Sequence, residues 1–159
     1  MTLLGAENPP EVQQLLEQRF AATAASKGGP PEIGVDRHVE LAKALRDELH
    51  YVIFGFVVAA HYPAAGDTPE RIQVVYSLRS VGKGSRLASW QLSVPVGAAV
   101  PTLVHLFAGA DWQEREQYDL VGVRFEGHPD LRRLMLAEDW QGHPLRKDYA
   151  IDTKVHPWR

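Results

Sequence analysis

Three segments rich in β-branched and aromatic residues follow one another through the middle of the chain, and they constrain its fold more than any other feature. They read YVIFGFVVAAHY (residues 51–62), RIQVVYSL (residues 71–78) and RLASWQLSV (residues 86–94). Residues of these types favour strands, and the connections PAAGDTPE and VGKGS are rich in turn-forming residues. Parallel neighbours need a connection of about a dozen residues or more. The sequence therefore predicts an antiparallel meander.

Two helices are predicted ahead of the meander. The first begins at Pro9-Pro10, and the glycines and prolines of SKGGPPEIG end it. Asp36 is predicted to cap the second, since its carboxylate can accept hydrogen bonds from free first-turn amides. We expect residues 1–35 to be a lead-in and residues 36–159 to form the domain. The apolar residues at helical spacing are Val12, Leu15, Leu16 and Phe20 in the first helix, and Leu41, Ala42, Leu45 and Leu49 in the second.

Two further helices and a strand are predicted after the meander. VPTLVHLF (residues 100–107) predicts a short helix opened by Pro101. WQEREQYDL predicts a helix that ends at Gly122, since glycine readily adopts the left-handed conformation at a helix C-terminus. VRF predicts a last short strand. The expected fold class is α+β, with a mixed, largely antiparallel sheet backed by helices and a loop-rich, charged C-terminal segment.

Composition excludes several classes of function. The chain has 159 residues, enough for one domain. Its formal net charge of −3 argues against a general nucleic-acid binder. It has no cysteine, which excludes disulfides, thiolate zinc sites and iron–sulfur ligation by cysteine. The longest apolar stretch, Tyr51–Ala60, is far shorter than the roughly 20 residues that span a bilayer. With no signal-peptide pattern at the N-terminus, we expect a cytoplasmic protein, and a peripheral position at a membrane stays open.

Charge is distributed unevenly along the chain. Only 7 of the 62 residues in Tyr51–Trp112 are Asp, Glu, Lys or Arg, against 14 of the 37 in Gln113–Tyr149. The second stretch mixes both signs, which is typical of ion-pair networks inside a domain or across a protein interface. The tryptophans Trp112, Trp140 and Trp158 are expected either to anchor such an interface or to pack in the core.

The tripeptide Gly-His-Pro occurs twice, with its histidines at His128 and His143. Together with Asp130, Asp139 and Asp148, they offer donor atoms for a metal, but the spacing matches no compact ligand motif. Glycine before and proline after each histidine favour a turn whatever the imidazole does. We therefore expect both histidines to have structural roles, with metal binding or acid–base chemistry as the less favoured interpretation.

Other charged candidates also have simpler interpretations. Glu114 and Glu116 point in different directions on a helix, so they do not form a paired acid–base site. We expect both to be exposed carboxylates on the helix surface. Arg132 and Arg133 could hold a phosphate, but no glycine-rich loop opens a helix near them. The residues alone thus indicate an α+β domain without recognisable catalytic machinery, and a charged, aromatic C-terminal third suited to protein contacts.

The stretch Trp112–Tyr149 resembles the signature of the C subunit of proton-pumping NADH:quinone oxidoreductase, respiratory complex I. The looser resemblance in the preceding part extends the match to about residues 36–150. His61 stands where the family often has an acidic residue, and residues 1–35 match nothing in the family. The residues that carry the resemblance are Glu114-Arg115-Glu116, Tyr118-Asp119-Leu120, Gly122, Phe125, Gly127 to Arg133 and Gly142 to Tyr149.

The resemblance implies a non-catalytic scaffold subunit that supports electron transfer from NADH to quinone and coupled proton translocation. It implies docking on the quinone-site subunit and on the subunit with the terminal iron–sulfur cluster. The chain would hold no cofactor, while its partners would hold FMN, the iron–sulfur clusters and the quinone site. It would lie on the cytoplasmic side of the cell membrane, as a peripheral part of the complex. The implied interface residues are Glu114, Arg115, Glu116, Tyr118, Asp119, His128, Pro129, Asp130, Arg132, Arg133, Trp140, His143, Pro144, Arg146, Lys147, Asp148 and Tyr149.

Three alternatives stay open from the sequence, and the least favoured of them is a generic adaptor outside respiration. Related membrane-bound hydrogenases, and quinone reductases that use another electron donor, have an equivalent subunit with the same signature. A more distant alternative is a metal-dependent enzyme that uses His128 and His143, although their spacing is poor for a metal site.

Overall fold

The computed structural model describes residues 8–25, 29–82 and 84–150. Within them lie three α-helices, α1 (Pro10–Phe20), α2 (His38–Asp47) and α3 (Ala110–Val121). The predicted helices at α1, α2 and α3 are confirmed. Helix α3 ends as expected at Gly122, whose backbone is left-handed with φ 86°.

The strands are β1 (Ile53–Tyr62), β2 (Arg71–Arg79), β3 (Leu87–Val94), β4 (Ala99–Pro101) and β5 (Arg124–Glu126). The first three form the predicted antiparallel meander in the order β1-β2-β3. Strands β4 and β5 form a separate parallel pair. The α+β class is therefore confirmed, with an antiparallel sheet, a small parallel pair and helices.

The helix predicted for residues 100–107 is wrong, because Pro101 ends strand β4 instead of opening a helix. Pairing with β5 continues past the strand, since the Thr102 amide donates to the Glu126 carbonyl at 2.9 Å. The chain then makes turns, in which Leu106 and Phe107 donate to the Leu103 carbonyl. Contacts distant in sequence thus hold the backbone extended just where the local pattern favours a helix.

The predicted cap at Asp36 is also wrong. Asp36 lies inside a short 3-10 turn, Val35–Arg37, which leads directly into α2. The residue that precedes α2 is Arg37, and its side chain makes no capping hydrogen bond. The turn is closed by the Arg37 amide, which donates to the Gly34 carbonyl at 3.1 Å.

One hydrophobic core joins α1, α2 and the inner face of the sheet. The side chains of Tyr76 and Trp90 stack in it with ring centroids 5.4 Å apart. The Trp90 indole donates to Nδ1 of the buried His38 at 3.1 Å. Burial lowers the pKa of His38 to about 3, so this imidazole is neutral at physiological pH. The helix residues in the core include Val12, Leu16 and Phe20 of α1 and Leu41, Ala42, Ala44 and Leu45 of α2.

The boundary at residue 36 stays a prediction, although α1 shares the core of the predicted domain. Helix α3 packs along strand β1, the first strand of the sheet. No helix in the described part of the chain is long and apolar enough to cross a membrane.

Candidate functional site: the anchored C-terminal segment

Residues 127–150, which we call the C-terminal segment, contain no helix or strand. The predicted loop-rich segment is therefore confirmed. Its path is nevertheless fixed by hydrogen bonds, and most of those that leave the segment go to α3. Because a loop without a ladder must satisfy its backbone groups elsewhere, these bonds determine its shape.

Asp119 is the main anchor of this segment. It lies near the end of α3 and is fully buried. Its Oδ2 accepts hydrogen bonds from the amides of Leu134, Met135 and Leu136 at 2.7–3.0 Å. Its Oδ1 accepts from Nη1 of Arg133 at 2.7 Å. Burial alone would raise the pKa of Asp119, but these hydrogen bonds outweigh it and lower that pKa to about 2.

Two arginines extend the anchor along the segment. Nη2 of Arg133 donates to the carbonyls of Trp140 and Gly142 at 2.8 and 3.1 Å. Arg115 is buried, and its guanidinium donates to the carbonyls of Arg132 and Arg133 at 3.2 and 3.3 Å. Both guanidinium groups therefore hold backbone of this chain, a role that suits their fork of donors.

The two Gly-His-Pro histidines bind backbone carbonyls of α3. Nε2 of His128 lies 3.3 Å from the Asp111 carbonyl, and its Nδ1 accepts from the Asp130 amide at 3.1 Å. That pattern requires the neutral tautomer with its proton on Nε2. Nδ1 of His143 lies 2.9 Å from the Asp119 carbonyl, one of the free carbonyls at the helix end. The preceding glycines, Gly127 and Gly142, have φ of 79° and 82°. The predicted turn roles of both histidines are confirmed.

The end of the segment is attached to the sheet through His61. Nδ1 of this buried imidazole accepts a hydrogen bond from the Lys147 amide at 3.1 Å. Because Nδ1 is the acceptor, Nε2 carries the proton and donates to Glu70 at 2.8 Å. Arg146 pairs bidentately with Asp148 at 2.8 and 2.5 Å. Sequence reasoning did not identify His61 as part of the site. The only signal in the sequence is its departure from the acidic residue often found there in the resembling family.

Among the described residues, one group has donor atoms close enough to hold a metal ion, and it consists of His61, Glu70 and Asp148. It includes neither His128 nor His143, so the predicted metal donors are not brought together. Both nitrogens of His61 already have partners. The Arg146 guanidinium lies 2.5 Å from Asp148 and 3.8 Å from Glu70, so a cation of this chain already offsets part of their negative charge.

The prediction that Glu114 is exposed is wrong. Its side chain is fully buried and accepts hydrogen bonds from the Thr102 hydroxyl at 2.5 Å and the Leu103 amide at 2.8 Å. It shares the core side of α3 with Ala110 and Val121, in keeping with the spacing of a helix face. Burial, with no cation bonded to it, raises the pKa of Glu114 to about 7. Glu116 is half-buried, in keeping with its different direction on the helix.

The residues predicted at an interface separate into three groups by exposure. Buried are Glu114, Arg115 and Asp119, and half-buried are Glu116, Tyr118, His128, Arg133, His143, Pro144, Arg146 and Tyr149. Exposed are Pro129, Asp130, Arg132, Trp140, Lys147 and Asp148.

Large apolar side chains project from α3 and the segment into solvent. Trp112 is 67% exposed, Met135 65%, Trp140 42% and Leu145 62%. They are four of the eight exposed large hydrophobic residues in the part of the chain that the structure describes. Trp112 and Trp140 are thus not packed in the core, so their place at an interface stays a prediction, while Trp158 lies outside the described residues. Tryptophan and methionine are enriched at protein interfaces, and single exposed apolar residues are also common on protein surfaces.

The fold and the site define an α+β domain whose C-terminal segment forms an exposed surface and is attached to helix α3. The sequence model of the family described as respiratory-chain NADH dehydrogenase, 30 Kd subunit, matches residues 32–155. The chain belongs to this family.

Individual relatives agree with the family. The C subunit of NADH-quinone oxidoreductase from Geotalea uraniireducens is 42% identical over 116 residues, which are 71% of this chain and 67% of that protein. The same subunit from Geobacter sulfurreducens is 36% identical over 151 residues, or 92% and 91% of the two chains. A solved structure of a trypsin-resistant fragment (1-134) of Nqo5 superposes with a TM-score of 0.61 and 27% identity, covering 76% of this chain and 96% of that one.

Proposed function

We propose that this protein is a docking scaffold in the hydrophilic arm of NADH:quinone oxidoreductase. Its partners are the quinone-site subunit and the subunit with the terminal iron–sulfur cluster. It supports electron transfer from NADH to quinone, coupled to proton translocation, by positioning these neighbours. FMN, the clusters and the quinone site belong to the partners. The protein lies at the cytoplasmic side of the cell membrane and reaches the membrane only through the complex.

One observation carries the proposal: the C-terminal segment is internally anchored, yet it leaves Met135, Trp140 and Leu145 in solvent. Ordering a loop on binding costs conformational entropy. A loop that is already anchored therefore loses less conformational entropy when it binds. A few side chains supply most of the energy at a protein interface, and tryptophan is enriched among them, while methionine is enriched at interfaces in general. We assign the partner contacts to these side chains, to Trp112, and to the exposed charges of Asp130, Arg132 and Lys147.

The buried and half-buried signature residues have a different role in this proposal. Asp119, Arg133 and His143 bond within the chain and shape the surface instead of meeting the partner. The family signature thus combines an inner set of anchors with an outer set of contacts.

The test is affinity purification of the tagged protein from gently solubilised membranes, with mass spectrometry of the recovered subunits. The double variant Met135→Ser and Leu145→Ser should recover at least tenfold less of the partner subunits than the parent. The control is Val81→Ser, because Val81 is 68% exposed in the turn between β2 and β3. Undiminished recovery by the folded double variant would contradict the docking surface. Partners that include a hydrogenase subunit in place of FMN-binding and NADH-binding ones would contradict the assignment to NADH oxidation.

A further inference from the structure

The outer edge of β3 is closed by a side chain from the N-terminal part of the protein. Nδ2 of Asn8 donates to the Ser89 carbonyl at 2.8 Å, and the Ser89 amide donates to Oδ1 of Asn8 at 2.7 Å. A primary amide carries the same donor and acceptor as a peptide unit. Asn8 therefore occupies the place of a neighbouring strand residue at this position.

Two residues further along β3, backbone closes the same edge. The Gln91 amide donates to the Pro31 carbonyl at 2.9 Å, and the Ile33 amide donates to the Gln91 carbonyl at 3.1 Å. Outside this contact, Thr23 and Glu32 exchange a pair of backbone hydrogen bonds at 2.8 and 2.9 Å. The N-terminal part thus adds two short strand-like segments beside β3, around Glu32 and around Thr23.

Side chains continue this ladder across the sheet. The side chain of Gln73 on β2 donates from Nε2 to Oε1 of the Gln91 side chain. Nε2 of Gln91 in turn donates to the Glu32 carboxylate at 3.2 Å. Gln91 is only 2% exposed, although it lies on a strand that would otherwise be an open edge. The contact between β3 and the N-terminal part therefore buries polar side chains that are hydrogen-bonded to one another. Buried polar groups stabilise a contact when they are paired in this way.

The opposite edge is closed by helix α3. The amides of Val57 and Ala59 on β1 donate to the side-chain oxygens of Gln113 and Gln117 at 3.1 and 2.9 Å. The two glutamines are four residues apart and so face the strand together. The helix body covers this edge, whereas the β3 edge receives its hydrogen bonds, among the residues described, from Asn8 and residues 31–33.

We propose that Asn8 and residues 31–33 act as a built-in edge strand that keeps β3 from pairing with a second copy of this chain. An uncovered edge strand is a template for another strand. A second copy fits because alternating donors and acceptors on one strand complement themselves in an antiparallel pair about a twofold axis. This role is independent of the docking proposal, since it concerns the free subunit before it reaches its partners.

The test uses the full chain, purified alone. Asn8→Leu keeps the shape of the side chain and removes both bonds to Ser89, while Ile33→Pro removes the amide that bonds Gln91. The control pairs Gln14→Leu, on the exposed side of α1, with Ile33→Val, which trims the side chain and keeps the amide. We expect the parent and the control to sediment as monomers, and the Asn8→Leu, Ile33→Pro protein to sediment as a dimer at the same concentration.

Hydrogen–deuterium exchange keeps the proposal testable if the double variant does not fold. In Asn8→Leu alone, the Ser89 amide should exchange at least tenfold faster than in the parent, while the Val75 amide of β2 stays unchanged. An unchanged Ser89 exchange rate would overturn the role of Asn8. A folded double variant that stays monomeric, or a parent that already dimerises, would overturn the role of the edge cover.

Discussion

At the scale of single residues, adjacent signature positions have opposite roles. Arg132 is exposed and pairs with Asp130 on the surface, whereas Arg133 is bonded to buried Asp119. No local sequence pattern distinguishes these neighbouring arginines. The distinction depends on where the loop passes α3, and contacts far apart in sequence determine that path. Charge reversal at Arg132 alone therefore tests docking, while reversal at Arg133 also tests folding.

The pair Asp119 and Arg133 should matter far more to stability than the pair Asp130 and Arg132. Asp119→Ala leaves the half-buried Arg133 and three loop amides without their acceptor, which typically costs about 3–5 kcal/mol when one partner of a buried pair is removed. Asp130→Ala removes an exposed pair that water screens, so this variant should lose little unfolding free energy. Urea unfolding of the two variants checks this difference. Equal losses in unfolding free energy would contradict the anchor role of Asp119.

Glu114 should make stability depend on pH. Its folded pKa of about 7 lies above the ordinary value of 4.5, so the folded state holds the proton more tightly than the unfolded state. The contribution of Glu114 to the free energy of unfolding is fully present below pH 4.5 and is lost as the pH rises to 7. The total loss is roughly 3 kcal/mol. Glu114→Gln should remove this dependence, as measured by unfolding free energies at pH 5 and pH 8. A variant with the same pH slope as the parent would contradict the buried, uncompensated carboxyl.

At the scale of elements, periodicity and composition predicted α1, α2, α3 and the meander, because each buries one regular face. They failed at Pro101, where pairing with β5 keeps the backbone extended. They also failed at Glu114, because residue type suggests exposure while its helical position places it in the core. The error at Pro101 comes from a partner that is distant in sequence, and local patterns contain no information about that partner. At Glu114 the helical spacing did contain the signal, but the residue type pointed the other way.

The end of α3 should tolerate no side chain at Gly122. Its φ is 86°, and an added Cβ would lie 2.7 Å from Cδ2 of His143. Gly97 has the same φ of 86° with nothing within 4 Å, so Gly97→Ala measures backbone strain alone, about 1 kcal/mol. Gly122→Ala should cost clearly more and speed exchange of the Leu145 amide, which bonds the Leu120 carbonyl at 2.9 Å. Equal costs would show that His143 does not pack on this turn.

At the scale of the whole molecule, the resemblance in the C-terminal third predicted the family correctly. It also placed the signature as one interface set, but the structure divides that set into anchors and exposed residues. The contacts of Asn8 and residues 31–33 with β3 could not be predicted, since neither a short helix nor a proline-rich stretch gives a sign of the strand beside it. Those contacts become visible only when β3 and the N-terminal part are placed side by side.

The central claim is that the exposed side of the C-terminal segment meets the partner subunits. The most direct measurement is photo-crosslinking in intact membranes, with a benzophenone amino acid at Trp140 and, as the control, at Val81. We predict that the probe at Trp140 links to the quinone-site or terminal iron–sulfur subunit and that the probe at Val81 does not. Partner links from Val81 with none from Trp140, in an assembled complex, would contradict the account.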